Sequence, residues 1–269
     1  MGNQLLVSLL TMGGLGLILS IGLAIANKRL KVEVEEDPRI QEIASVLPGL
    51  NCGACGFAMC SGFAKALVEG KAPANGCIPG GEEVAKQVAS ILRIEVEARE
   101  KKIAKILCYH RGKARTQFDY QGLENCRAAN LLFGGNKTCL YSCLGLGDCI
   151  EVCPFDAITL VNGKIEIDEE RCTGCGKCVS ICPKGVVALI PEEKKVHILC
   201  NSKDKGAIVR KICKEGCIGC GICVKVCPEE AITLKDNLAY IDYEKCTECG
   251  ICAEKCPTHV IQVTSNIEQ

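Results

Sequence analysis

The longest apolar stretch runs from Leu5 to Ala26, 22 residues without a charge. As a helix it reaches about 33 Å, enough for the hydrocarbon core of a bilayer. Lys28, Arg29 and Lys31 follow the run and no charge precedes it, which argues for a retained anchor over a cleaved leader. The same bias puts the N-terminus outside and the bulk of the chain in the cytoplasm. An acidic linker, Val32 to Pro38, comes next. Ala58 to Leu67 reads as a short helix, and Val84, Val88, Ile91 and Leu92 repeat at helical spacing in an amphipathic connector. Beyond Lys102 the period shortens. Apolar runs such as 158–161 and 232–234 read as strands, and the runs 105–108 and 197–200 are both an apolar strand ending in cysteine.

Composition changes this picture. The chain has 24 cysteines, no Trp, and only 4% aromatic residues, so a core of large rings does not account for its cohesion. Cysteines two or three residues apart are badly placed to bridge one another, so metal ligation explains them better than disulfides. Basic and acidic side chains balance at 32 each, which gives no support for nucleic-acid binding. His110, His197 and His259 form no ligand-spaced pair and read as surface or strand residues.

Four blocks repeat one theme, each ending in Cys-Pro followed by a pair of small or aliphatic residues: 139–154, 172–183, 217–228 and 246–257. Three read C-x2-C-x2-C-x3-C-P: Cys172, Cys175, Cys178 and Cys182; Cys217, Cys220, Cys223 and Cys227; Cys246, Cys249, Cys252 and Cys256. That spacing holds three thiolates on one face of an iron–sulfur cube, whereas structural zinc prefers two separated cysteine pairs. Cys139, Cys143, Cys149 and Cys153 depart from the pattern, with inserted Gly145 and Gly147. Cys52, Cys55, Cys60 and Cys77 form a separate set for one [4Fe–4S] site. Cys108, Cys126, Cys200 and Cys213 remain, either as a sixth set or as buried free thiols; the repeated strand-then-cysteine device favours the set.

The three regular blocks resemble bacterial two-cluster ferredoxins, in which the cysteine before proline serves the other cluster. That resemblance implies the sets Cys217, Cys220, Cys223 with Cys256; Cys246, Cys249, Cys252 with Cys227; Cys172, Cys175, Cys178 with Cys153; and Cys139, Cys143, Cys149 with Cys182. The N-terminal apolar run, the stretch from Asn51 to Ala58, and the stretch from Tyr141 to Ile158 together resemble the B subunit of the Rnf complex, in a long form with two ferredoxin modules. The resemblance implies an electron-transfer subunit of an ion-translocating ferredoxin:NAD oxidoreductase. Its cofactors are five [4Fe–4S] clusters, or six, with no flavin, NAD or haem on this chain. Its partners are reduced soluble ferredoxin, the NADH/FMN-binding subunit, and the flavin-carrying and multi-span membrane subunits. The alternative is a membrane-tethered polyferredoxin serving a hydrogenase or other reductase.

The expected fold class is α+β: a single N-terminal transmembrane helix, a small [4Fe–4S] domain and two tandem two-cluster ferredoxin-like modules. The expected boundaries are 1–27 anchor, 28–39 linker, 40–81 [4Fe–4S] domain, 82–101 helical connector, 102–196 first module and 197–269 second module.

Overall fold

The computed structural model describes residues 2–30, 37–96 and 100–264; in the first segment, side chains are described for Leu10 and from Met12 to Ala26. Most of the acidic linker and the side chains of the basic residues after the apolar run lie outside the described residues. Helix α1 spans Gly2–Leu30, and its described side chains are all exposed. Among the described residues, no helix is long and apolar enough to cross a membrane.

Three helices and a 3₁₀ turn (Ala74–Gly76) build the next unit: α2 Pro38–Val46, α3 Cys60–Val68 and α4 Gly81–Leu92. Asp37 caps α2 by accepting the Arg39 N–H at 3.0 Å, and Pro38 takes the first helical turn, where its missing N–H costs nothing. Ile43 of α2, Phe63 of α3 and Val88 of α4 close one core. The amphipathic helix expected as a connector is therefore the lid of this unit. Periodicity reveals an apolar face but not what that face covers.

The remainder is one β-α-α-β-β-α-β plan used twice. The first copy has β1 Lys102–Ile106, α5 Cys126–Leu131, α6 Asp148–Glu151, β2 Ile158–Val161, β3 Lys164–Ile167, α7 Lys177–Ile181 and β4 Val187–Pro191. The second has β5 Val196–Ile198, α8 Gly206–Ile212, α9 Ile222–Val226, β6 Ile232–Lys235, β7 Leu238–Ile241, α10 Ile251–Glu254 and β8 Ile261–Val263. In each copy the outer strands pair antiparallel, Ile106 with Val187 and Ile198 with Ile261, and so do the inner ones, Ile158 with Ile167 and Ile232 with Ile241. The inner hairpins turn at Asn162-Gly163 and Asp236-Asn237, all four at positive φ, the conformation that matches strand twist in a two-residue turn.

The chain enters the second copy slightly earlier than residue 197. Lys194 Nζ donates to the Cys246 carbonyl (2.8 Å), and the Glu248 carboxylate accepts the N–H groups of Lys195 (2.5 Å) and Val196 (2.9 Å). The copies meet where the Tyr109 N–H donates to the Leu199 carbonyl (2.9 Å) and the Asn201 side chain donates to the Lys184 carbonyl (3.0 Å).

Candidate metal centres

Each ferredoxin-like block builds its cysteine loop from the same backbone. The residue eight before the cysteine of each Cys-Pro (Gly145, Gly174, Gly219 or Glu248) has positive φ, as does the glycine six before it (Gly147, Gly176, Gly221 or Gly250). That second glycine starts the short helix α6, α7, α9 or α10. The left-handed turns wrap the loop so that successive cysteines face one centre, which L side chains allow only at a cost. After each Cys-Pro, another left-handed residue (Asp156, Gly185, Glu230 or His259) sends the chain into the following strand segment.

Cys153, Cys172, Cys175 and Cys178 line one small cavity. Cys217, Cys220, Cys223 and Cys256 line its counterpart. Cys227, Cys246 and Cys249 surround Cys252, whose thiol is pushed up to about 11 by burial and then by those neighbours. In the N-terminal unit, burial and then Cys55, Cys60 and Cys52 push up the Cys77 thiol, while the Asn51 side chain accepts the Cys60 N–H at 2.8 Å.

A thiol kept protonated by desolvation and by like neighbours is inert alone, but several together deprotonate when they share a metal centre. Cys178 is pushed up to about 12 on these two grounds, Cys149 and Cys223 to about 11. Cys256 runs the other way. Burial raises it, but N–H groups of Ile261, Thr258 and Val260 and the Thr258 hydroxyl outweigh burial and favour the thiolate.

All 24 cysteines are free thiols. Among the described residues, the His/Cys/Asp/Glu group with ligand atoms mutually within 4.8 Å is His110, Cys213 and Glu215, so no cysteine set closes on a single ion. Tetrahedral zinc with 2.3 Å bonds needs sulfurs roughly 3.8 Å apart. Four thiols spread around a wider centre fit an iron–sulfur cube instead.

A family model described as a putative Fe–S cluster matches residues 47–79, and a 4Fe-4S dicluster domain matches 138–186 and 216–260. The chain is 43% identical over 247 residues to the B subunit of the ion-translocating oxidoreductase complex of Methanosarcina acetivorans, covering 91% of this chain and 93% of that one. It is 44% identical to the B subunit of the Na(+)-translocating ferredoxin:NAD(+) oxidoreductase complex of Acetobacterium woodii (90% and 73% covered). It is 46% identical to the proton-translocating counterpart of Clostridium ljungdahlii (89% and 85%). The chain belongs to the family of Rnf B subunits.

Two cysteines of this Rnf chain exchange the places expected of them. Cys126, not Cys139, lines the cavity with Cys143, Cys149 and Cys182. Cys139 lines another with Cys108, Cys200 and Cys213. The cause is buried Asp148, whose carboxylate accepts the N–H groups of Cys126 (2.5 Å) and Arg127 (3.2 Å) and so pins the start of α5 beside Cys149. N–H groups of Asp148 and Leu146 in turn point at the Cys126 sulfur, although burial still leaves that thiol raised.

The sequence does carry the signal. The first block reads Cys143-x2-Leu146-x2-Cys149-x3-Cys153, the regular spacing with leucine at the middle position. Gly145 and Gly147 then coincide with Gly219 and Gly221 rather than being insertions. Cys126 adds a fourth sulfur to the lining of that cavity. His110 is also no plain surface residue, since its Nε2 lies 3.1 Å from the Glu215 carboxylate of the other module. His197 is a buried strand residue.

Proposed function

We propose that the chain is the electron-relay subunit of a membrane-bound ferredoxin:NAD oxidoreductase that couples electron flow to Na+ or H+ translocation. The names of its relatives support this, but the observation that carries it is the adjacency of the cysteine sets. Cys52 of the N-terminal unit lies close enough to Cys175 of the first module to raise its thiol, after burial and its own set's Cys153. Cys149 and Cys153, ligands of two different sets, both contribute to the rise at Cys178.

Five sets hold [4Fe–4S] clusters in this reading: Cys52, Cys55, Cys60 and Cys77; Cys153, Cys172, Cys175 and Cys178; Cys126, Cys143, Cys149 and Cys182; Cys217, Cys220, Cys223 and Cys256; Cys227, Cys246, Cys249 and Cys252. Bound clusters supply one-electron transfer, and no side chain here serves as acid, base or nucleophile. The chain's own part is to hold the sulfurs, exclude water with the buried aliphatic side chains around them, and aim N–H groups at thiolates, as Ala104 does toward Cys172 at 3.3 Å.

Reduced soluble ferredoxin delivers electrons at the ferredoxin-like modules. The Cys77 set hands them to other Rnf subunits: the NADH/FMN-binding subunit and the flavin-carrying and multi-span membrane subunits. Helix α1 is the single-pass anchor, with the N-terminus outside. Its uncharged run and exposed side chains support this, because so much apolar surface is stable in lipid and costly in water.

The test replaces Cys55 with alanine in the full chain within its complex. Ferredoxin-driven reduction of the remaining clusters, followed by absorbance, stays intact while electron delivery to the partner flavins stops. Loss of all cluster reduction in Cys55→Ala reverses the proposed direction.

A further inference from the structure

A cavity of about 440 Å³ lies where the two ferredoxin-like modules meet, and Cys108, Cys139, Cys200 and Cys213 line it. Each module contributes two of these cysteines by the same device. One stands two residues past the module's first strand: Cys108 after β1 and Cys200 after β5. The Leu107 N–H donates to the Val186 carbonyl at 2.6 Å, and Leu199 donates to Val260 at 2.9 Å, so the two strand exits have the same hydrogen bonding. The other stands four residues before a ligand of the module's own set: Cys139 before Cys143 and Cys213 before Cys217. Two half-sites with one construction thus face each other and are complete only together. The contact between Tyr109 and Leu199 holds the facing strand exits in place.

We propose that these four cysteines bind a [4Fe–4S] cluster that connects the two modules. This rests on the reading of the other sets as cluster sites. Four free thiols converge here without closing on a single ion, as in those sets. The charge environment also matches an anionic cluster. Lys113, Arg115, Arg210, Lys211 and Lys214 line the same cavity against one carboxylate, Glu215. Lys137 is buried beside Cys143 and Cys108, and Lys184 lies near Cys139 and Cys182.

The site also touches both neighbouring sets. The Cys217 N–H, from the first ligand of the second module, donates to the Cys200 sulfur at 3.4 Å. On the other side Cys139 is one turn from Cys143, closed by the Ser142 N–H on the Cys139 carbonyl at 3.1 Å. Each electron that arrives from one module's set leaves to the other's, so the bridge needs no further reactant. The rival occupant is a single divalent ion on His110, Cys213 and Glu215, which uses one of the four sulfurs and leaves three unexplained.

The full chain, isolated from membranes without oxygen, is assayed for iron, acid-labile sulfide and zinc. Six clusters' worth of iron and sulfide is expected. Five clusters' worth overturns the bridging site and leaves the five-cluster relay standing, whereas a chain without iron overturns both. Cys139→Ala and Cys213→Ala should each remove about a sixth of the iron, and the double variant no more than either alone. Cys126→Ala with Cys213→Ala should remove about twice as much. Additive loss in the Cys139 and Cys213 pair contradicts a shared site. His110→Ala should leave iron unchanged; stoichiometric zinc that disappears with it assigns the cavity to the single ion instead. If the cysteine variants do not fold, the composition of the unaltered chain decides.

Discussion

The carboxylate of Asp148 holds the main-chain N–H of Cys126 at 2.5 Å, across 22 positions of sequence. Asp148 is 5% exposed, so its carboxylate is satisfied by these N–H groups and by the Arg127 guanidinium 3.8 Å away rather than by water alone. Asp148→Ala should cost about 3 kcal/mol, the scale of losing two charge-assisted hydrogen bonds. It should also release the iron of the Cys126, Cys143, Cys149 and Cys182 set before any other. Differential scanning calorimetry and iron analysis check both. An unchanged melting temperature with full iron rules out the anchoring role.

Leu146 stands where the regular blocks have their middle cysteine, and its N–H points at the Cys126 sulfur. Cys126→Ala alone should lower iron and sulfide by one cluster's worth. Adding Leu146→Cys should restore them, since the loop already has the required left-handed turns at Gly145 and Gly147. If the double variant stays as depleted as Cys126→Ala, the two positions are not equivalent.

Glycines in the same kind of loop carry different burdens. A Cβ at Gly174 would sit 2.0 Å from the Lys102 carbonyl oxygen, at a φ of +70°. Gly174→Ala has to push β1 aside and should cost on the order of 3 kcal/mol. Gly221 has the same φ but open space around its Cβ position, so Gly221→Ala should cost only about 1 kcal/mol. Chemical denaturation of the two variants side by side measures the difference. Equal losses show that backbone conformation alone sets the cost.

His197 on β5 is 1% exposed, with its Nδ1 3.1 Å from the Tyr243 hydroxyl, and its Nε2 has no hydrogen-bond partner. Burial, helped by the charge of Lys105, lowers its pKa from 6.5 to about 4; Glu248 and Glu169 oppose the shift. The unfolded chain therefore binds the proton that the folded one refuses. This group's contribution to stability is complete above pH 6.5 and is lost as pH falls toward 4, by at most about 3 kcal/mol. Comparing melting temperatures at pH 5 and pH 7 should show a smaller drop for His197→Phe than for the unaltered chain. Identical drops remove His197 from the pH response.

Much of the site was written locally. Cysteines at C-x2-C-x2-C need only left-handed turns between them, and those depend on residues inside the loop such as Gly219 and Gly221. The hairpin turns at residues 162–163 and 236–237 are equally local, as is the strand pattern on either side. The leucine at 146 was also legible, once the first block was aligned with the other three by its Cys-Pro end rather than by its first cysteine.

Other features had no local cause. The choice of Cys126 over Cys139 depends on a buried carboxylate joining α5 to α6. The role of α4 depends on a core shared with Ile43 and Phe63. The convergence of Cys108 and Cys139 with Cys200 and Cys213 depends on two modules docking through Tyr109 and Leu199. Sequence alone determined which short loops present sulfur, because turn conformation is decided within a few residues. Only the tertiary structure decided which distant sulfurs line one cavity, because that follows from contacts between segments that spacing does not relate.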